Sequence, residues 1–331
     1  MVRRSGERRR TRRTGWWSDG DDESAAALVR IVAALGGNAL LERGERPDAE
    51  VQERHVSQAV AALAPLAREH QLVITHGNGP QVGMLALESA HDPALSHPYP
   101  FDVLGAQTQG MIGYWLARAL RSEIPGRQVG CLICLTLVSE ADPAFANPTK
   151  FVGPGYDEHS ARSLVAKHGW TIGQDGEKWR RVVPSPEPVE ILELPLIEAM
   201  LKADAVVICA GGGGIPVIRL VGAQLHGVDA VVDKDLTSAL LARAIAADVL
   251  LLLTDVPAVI EGFGTPAARP IERATVFELR GDRLPAGSMG PKVDAACRFV
   301  AATGKRAVIG RLDDAEAMFL GKAGTAVLAN A

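Results

Sequence analysis

The stretch IVAALGGN, residues 31–38, decides the fold: a short apolar run that stops in Gly36-Gly37-Asn38. An unalternating run of this length reads as a parallel-sheet strand buried on both faces. Glycines at its end expose backbone N–H groups at the carboxyl edge of the sheet. Open α/β folds bind ligands at that edge, and a concave loop of bare N–H groups suits anionic oxygens. The arrangement recurs where LVIT meets His76-Gly77-Asn78-Gly79 and where VVICA meets Gly211-Gly212-Gly213-Gly214. One such loop is compatible with an ordinary turn. Three argue for a site that holds phosphate, or something equally anionic, from several sides.

Outward from these runs, strands and helices alternate, which predicts a largely parallel sheet covered on both faces. Strands are expected over 31–35, 72–75, 129–138, 205–210 and 249–254, and helices over 49–70, 102–121, 235–246 and 291–302. In the first helix Val51, His55, Ala59, Ala62, Leu63 and Leu66 share one stripe. Residues from about 147 to 190 break the rhythm, being rich in Gly, Pro, Trp and charge. A hairpin is expected over 170–182, turning at Asp175-Gly176. With Phe151, Tyr156, Trp170 and Trp179 to bury, this reads as a small inserted subdomain of a single domain covering 29–331.

Residues 1–28 stand apart, with seven arginines between Arg3 and Arg13, then Trp16, Trp17 and an acidic cluster. No apolar h-region follows, so the segment reads as a disordered extension with no catalytic role rather than a signal peptide. The whole chain of 331 residues is 47% hydrophobic and 22% charged, an ordinary globular composition. Its net charge of −4 gives no general reason to expect a nucleic-acid partner. No apolar stretch approaches the ~20 residues that span a bilayer. Cys131 and Cys134 have C-x-x-C spacing, but within one strand they would point to opposite faces. With Cys209 and Cys297 they read as reduced, buried thiols of a cytoplasmic protein.

Only eight of the 35 cationic residues are lysines, so a lysine at a special position is informative. Lys234 lies in Val-Val-Asp-Lys-Asp just before a helix. Lys292 lies in Gly-Ser-Met-Gly-Pro-Lys, where Pro291 fits the first helical position and Gly290 the cap. Both are placed for anion binding at helix starts, and a mobile point charge suits a phosphoryl group in transfer. Lys150, in Asn-Pro-Thr-Lys, opens the inserted segment, whereas Lys167, Lys178 and Lys202 read as solvated surface residues. Asp235 fits an N-cap, a clamp on two ammoniums, or a place near Mg²⁺; Asp233 carries a weaker case. His76 reads as structuring its loop, and the 107–110 run as packing or interface within a helix. Neither the G-x-x-x-x-G-K-[ST] loop nor a dinucleotide G-x-G-x-x-G follows the first strand, which excludes those two phosphate designs.

Seven blocks occur in order: Ala-Leu-Gly-Gly-Asn-Ala (34–39), His-Gly-Asn-Gly-Pro-Gln-Val-Gly (76–83), Gln-Gly-Met-Ile-Gly-Tyr (109–114), Asn-Pro-Thr-Lys (147–150), Gly-Gly-Gly-Gly-Ile-Pro-Val (211–217), Val-Asp-Lys-Asp-Leu (232–236) and Gly-Ser-Met-Gly-Pro-Lys-Val (287–293). Together they resemble the carbamate kinases of the amino acid kinase superfamily. The resemblance implies a three-layer αβα sandwich with a mainly parallel open sheet, a small protruding subdomain, and a homodimer. It implies Mg²⁺-dependent, reversible phosphoryl transfer between ATP and carbamate, giving ADP and carbamoyl phosphate, often run toward ATP at the end of arginine breakdown. Gly36, Gly37, Asn38, Gly77 and Asn78 would surround the carbamate and the phosphoryl group, with Gly211, Gly212 and Gly213 among the phosphoryl-binding loops. Lys234 and Lys292 would neutralise phosphates, Asp235 would orient those lysines, and Lys150 would reach in from the subdomain. Thr254, Asp255 and Val256, with Gly287, Ser288, Met289 and Gly290, would lie along the nucleotide, which Lys234 and Lys292 also touch. The chain departs from the family's pattern at Pro257, at Val259-Ile260 where an aromatic is expected, and at Gly310 where a hydroxyl residue is more usual.

Overall fold

The strand Arg30–Leu35 sits in the middle of an eight-stranded sheet. The computed structural model describes residues 28–42, 44–280 and 289–330. All but the last residue of the expected extension 1–28, and Gly287 and Ser288, lie outside the described residues. From one edge the strands run Arg273–Thr275, Thr325–Leu328, Arg306–Arg311, Val249–Thr254, Arg30–Leu35, Gln71–His76, Val206–Ile208 and Val129–Cys131. Every neighbouring pair is parallel except Arg306–Arg311 against Thr325–Leu328.

The strand period of two divides the interior. Ile31, Ala33 and Leu35 enter one core, packed by the helices Ala49–Glu69 and Phe101–Glu123. Val32 and Ala34 enter the other, packed by Leu194–Lys202, Lys234–Ala244 and Met289–Thr303. Strands apolar at every position therefore make a three-layer α/β sandwich, the fold class expected.

Three elements differ from the sequence reading. The strand expected over 129–138 is two, Val129–Cys131 on the main sheet and Leu135–Leu137 in a separate four-stranded sheet. The break is held by Gln109, whose amide donates to the Cys134 carbonyl at 3.1 Å and accepts from the Cys134 N–H at 2.8 Å. Gln109 thus bonds both backbone groups of Cys134, whose carbonyl also accepts from the Ile215 N–H at 2.9 Å, and Cys131 is exposed, not buried as expected. Second, a helix Gly79–His91, with Pro80 in its first turn, follows the second glycine loop directly. Third, the helix carrying Lys292 begins at Met289, so Pro291 is its third residue rather than its first. Proline is still tolerated there, because the first-turn N–H groups have no helical acceptor.

Within the inserted segment, Lys150–Tyr156, Lys178–Val183 and Ile172–Asp175 form an antiparallel three-stranded sheet alongside the helix Glu158–His168. Val152 and Val183 pack with Val82, Phe101, Leu104 and Val231. The Arg181 guanidinium lies 4.7 Å from the Phe101 ring centre and 4.8 Å from that of Trp170. These contacts seat the insertion beside the carboxyl edge of the main sheet.

Candidate active site

A cavity of about 910 Å³ opens between the glycine loops and the inserted sheet. The loops contribute Gly37, Gly77, Asn78 and Gly212; the charged wall contributes Lys150, Lys234, Asp235 and Lys292. Residues far apart in sequence therefore meet in one place. Gly36, Gly211 and Gly213 are not on its lining. They are buried and let the loops pack: a Cβ at Gly36 would lie 3.0 Å from the Leu253 carbonyl, and one at Gly211 would strike the His76 ring. Asn38 lies in the short turn Gly37–Ala39; its side chain lies outside the described residues.

Gly77 is where two loops touch. An added Cβ would stand 2.8 Å from the Gly37 backbone nitrogen, closer than real contacts allow. Gly77→Ala is expected to push the loops apart, lowering stability by about 1–3 kcal/mol and turnover by about tenfold or more. Chemical denaturation and a kinetic assay check it. Gly212, at φ 66°, lies against the Asn78 amide, which donates to Thr108 Oγ1 at 2.8 Å.

Asp233, not Asp235, caps the helix Lys234–Ala244. One Asp233 oxygen accepts from the N–H groups of Asp235 at 2.9 Å and Leu236 at 3.3 Å. The other accepts from Lys150 Nζ at 2.6 Å, tying the insertion to the site. Freed from capping, Asp235 lies 2.8 Å from Lys234 Nζ and accepts from Lys292 Nζ at 3.0 Å. All three side chains of this clamp are buried. The Lys234 contact engages one Asp235 oxygen, and an ammonium has three N–H donors, so the pair leaves donors to spare. Such an ammonium, buried on a cavity wall, is poised for an incoming anionic oxygen.

Burial pushes the Lys234 ammonium down to about 8, with Lys292 adding to the fall and Asp235 opposing it. For Asp235, burial works to raise the value, but the two ammoniums overcome it and hold the carboxyl below the usual range. Burial likewise pushes His76 down to about 4. Neutral imidazole therefore donates from Nδ1 to the Gly77 carbonyl at 3.0 Å, which is a loop-structuring role.

These values set a pH dependence. In free enzyme, kcat/KM for an anionic substrate is expected to fall as pH rises through about 8, where Lys234 loses its proton. In the complex, bound phosphate favours the ammonium, so the limb in kcat is expected at higher pH. A pH–rate profile checks both, and a flat kcat/KM across that limb would contradict the assignment. For folding the sign is opposite. The unfolded chain keeps the proton up to about 10.5, so between the two values Lys234 favours the folded state as pH rises.

Residues 29–311 match the sequence pattern described as the amino acid kinase family. The chain belongs to that family. Among its relatives, the carbamate kinase of Rhizobium meliloti (strain 1021) is 53% identical over 303 residues, covering 90% of this chain and 93% of the relative. That of Escherichia coli (strain K12) is 49% identical over 297 residues, covering 90% and 98%. Among solved structures, the carbamate kinase from Giardia lamblia bound to citric acid superposes with a TM-score of 0.86 at 38% identity, covering 92% of this chain and 99% of that one.

The amino acid kinase fold brings the four expected charged residues together with part of the expected glycine loops, and leaves the other expected residues off the cavity or outside the described residues. Thr254 ends the strand Val249–Thr254, Asp255 and Val256 follow it, and like Met289 and Gly290 they do not line the cavity. Pro291 and Lys292 do. Two departures from the family's pattern are neighbours: a Cβ at Gly310 would lie 3.0 Å from the Pro257 carbonyl. The bare glycine makes room for the proline turn. Sequence reading missed Asp175, Lys178 and Arg180, which line the cavity from the inserted sheet. Lys178, expected on the solvated surface, is exposed but stands over the site. The strand alternation of its hairpin was the available signal.

The side chains do not fit a resident Mg²⁺. Among the described residues no three His, Cys, Asp or Glu groups gather as ligands. Asp233 is committed to Lys150 and the helix cap, and Asp235 lies between two ammoniums.

Proposed function

We propose that the chain is a carbamate kinase, catalysing reversible transfer of a phosphoryl group between MgATP and carbamate to give ADP and carbamoyl phosphate. The observation that carries this reading is the Lys234–Asp235–Lys292 clamp, with its buried ammoniums at the cavity, in a chain half identical to enzymes named carbamate kinase. Carbamate is already an anion, so its attacking oxygen needs no general base. His76, neutral and bonded to the Gly77 carbonyl, is not required as one. Catalysis then rests on in-line positioning and on positive charge spread over the equatorial oxygens of the moving phosphoryl group. The loops bring Gly37, Asn78 and Gly212 to the cavity to offer backbone N–H groups, while Gly36, Gly77, Gly211 and Gly213 hold the loops in place. Lys234 and Lys292 give fixed charge, and Lys150 gives a charge from the insertion. Asp235 holds the two buried lysines apart at a set spacing. Thr254, Asp255, Val256, Met289 and Gly290, with Gly287 and Ser288, run along the nucleotide.

The enzyme works in the cytoplasm toward ATP, consuming carbamoyl phosphate made in arginine breakdown, and as a homodimer. For the dimer, Val103, Gln107, Gly110, Tyr114 and Arg118 form an exposed stripe at helical spacing on Phe101–Glu123. For the location, the cysteines are free, and among the described residues no helix is long and apolar enough to cross a membrane. A phosphoryl-acceptor panel tests the reaction: carbamate is expected to exceed acetate, aspartate and glutamate by about a hundredfold in kcat/KM. Equal rates with an amino acid acceptor would move the assignment to another small-acid kinase.

A further inference from the structure

Five cationic side chains among the described residues line the large cavity: Lys150, Lys178, Arg180, Lys234 and Lys292. Four face a carboxylate. Lys150 pairs with Asp233, Arg180 with Asp175, and Lys234 and Lys292 share Asp235. Lys178 has no carboxylate partner among the described residues.

Its stem is nevertheless placed. Lys178 opens the strand Lys178–Val183, opposite Asp175, whose carboxylate Arg180 occupies at 2.9 Å. The stem crosses Gly155 so closely that a Cβ there would lie 2.7 Å from Lys178 Cδ and 3.0 Å from its Cβ. Only a glycine leaves room for that path. The result is an ammonium carried over the cavity on a supported stem, with no counter-charge of its own. Gly37, Gly77 and Asn78, which the carbamate kinase reading puts around the small acid, share this cavity, while Thr254, Asp255 and Val256 are off it.

We propose that Lys178 is a further substrate-contacting lysine, which reaches from the inserted hairpin to the phosphoryl oxygens of the small phosphorylated substrate. This rests on the carbamate kinase reading for the identity of that substrate. Because Lys178 is exposed and Lys234 and Lys292 are not, its charge acts on capture of the dianion more than on the transition state. The effect belongs in KM.

The test compares the full-length wild type with Lys178→Met, Lys178→Arg and Lys167→Met, assayed for ATP formation from ADP and carbamoyl phosphate. Methionine keeps an apolar stem over Gly155, and Lys167 is an exposed lysine of the same insertion that does not line the cavity. In Lys178→Met the KM for carbamoyl phosphate is expected to rise about tenfold, the size of one charge-assisted hydrogen bond. The KM for ADP and kcat stay near the wild-type values, Lys178→Arg restores most of the affinity, and Lys167→Met changes nothing. An unchanged KM in Lys178→Met, as when the lysine pairs across the cavity with Glu42, Glu45 or Glu88, overturns the proposal while the reaction stands. An equal rise in Lys167→Met also overturns it. If the wild type fails to use carbamoyl phosphate, the functional reading falls and inorganic phosphate binding by calorimetry decides. Weaker phosphate binding in Lys178→Met then supports the anion contact, and equal binding overturns it.

Discussion

Lys234→Met is expected to lower kcat by about a hundredfold or more, a loss of roughly 3 kcal/mol of transition-state stabilisation. The fold should survive, because Asp235 keeps Lys292 as its hydrogen-bonded partner at 3.0 Å. The size of the effect follows from burial. A charge in water is screened by solvent that reorganises as the reaction proceeds, whereas Lys234 is buried and fixed by Asp235 with donors to spare for an anion. Lys292→Met should fall in the same range for the same reason. Rapid-quench measurement of the chemical step, alongside circular dichroism, checks this. Wild-type-like turnover in either folded variant would contradict the assignment of the clamp.

Asp235→Ala is the second large effect, and it differs in kind. Removing the carboxylate leaves two buried ammoniums facing each other with no counter-charge. Breaking a buried pair from one side costs about 3–5 kcal/mol of stability. The variant should therefore unfold at much lower denaturant concentration and also lose turnover. The ion-pair account adds a specific signature: inorganic pyrophosphate, able to stand in for the lost carboxylate, should restore part of the stability in proportion to its binding. Denaturation with and without pyrophosphate separates this from a packing defect. Loss of stability that pyrophosphate does not touch would count against a charge-based role.

Much of this was legible in the sequence, for physical reasons. Ile31–Leu35 and 249–253 carry no polar residue to alternate, so burial on both faces could be read directly, and both layers followed. Lys234 and Lys292 stood out because lysines are scarce in the chain and these two flank helix starts. What was not legible depended on partners distant in sequence. Nothing near residue 134 shows that Gln109 will satisfy its backbone and split the expected strand. Asp233 and Asp235 are both reasonable caps by local rules. The choice is made by helix Met289–Thr303, which delivers Lys292 to Asp235, and by the insertion, which delivers Lys150 to Asp233. Lys178 is exposed as expected, but its place over the cavity could not be read, because Gly155 and the cavity are brought to it by the pairing of the three inserted strands.

The clamp and glycine loops are proposed to transfer a phosphoryl group to and from carbamate. The most direct measurement of this is ATP formation from ADP, Mg²⁺ and carbamoyl phosphate, with acetyl phosphate as the competing donor. Rapid ATP synthesis with carbamoyl phosphate, and little with acetyl phosphate, is the predicted result. A folded protein that binds nucleotide yet makes no ATP from carbamoyl phosphate would contradict it.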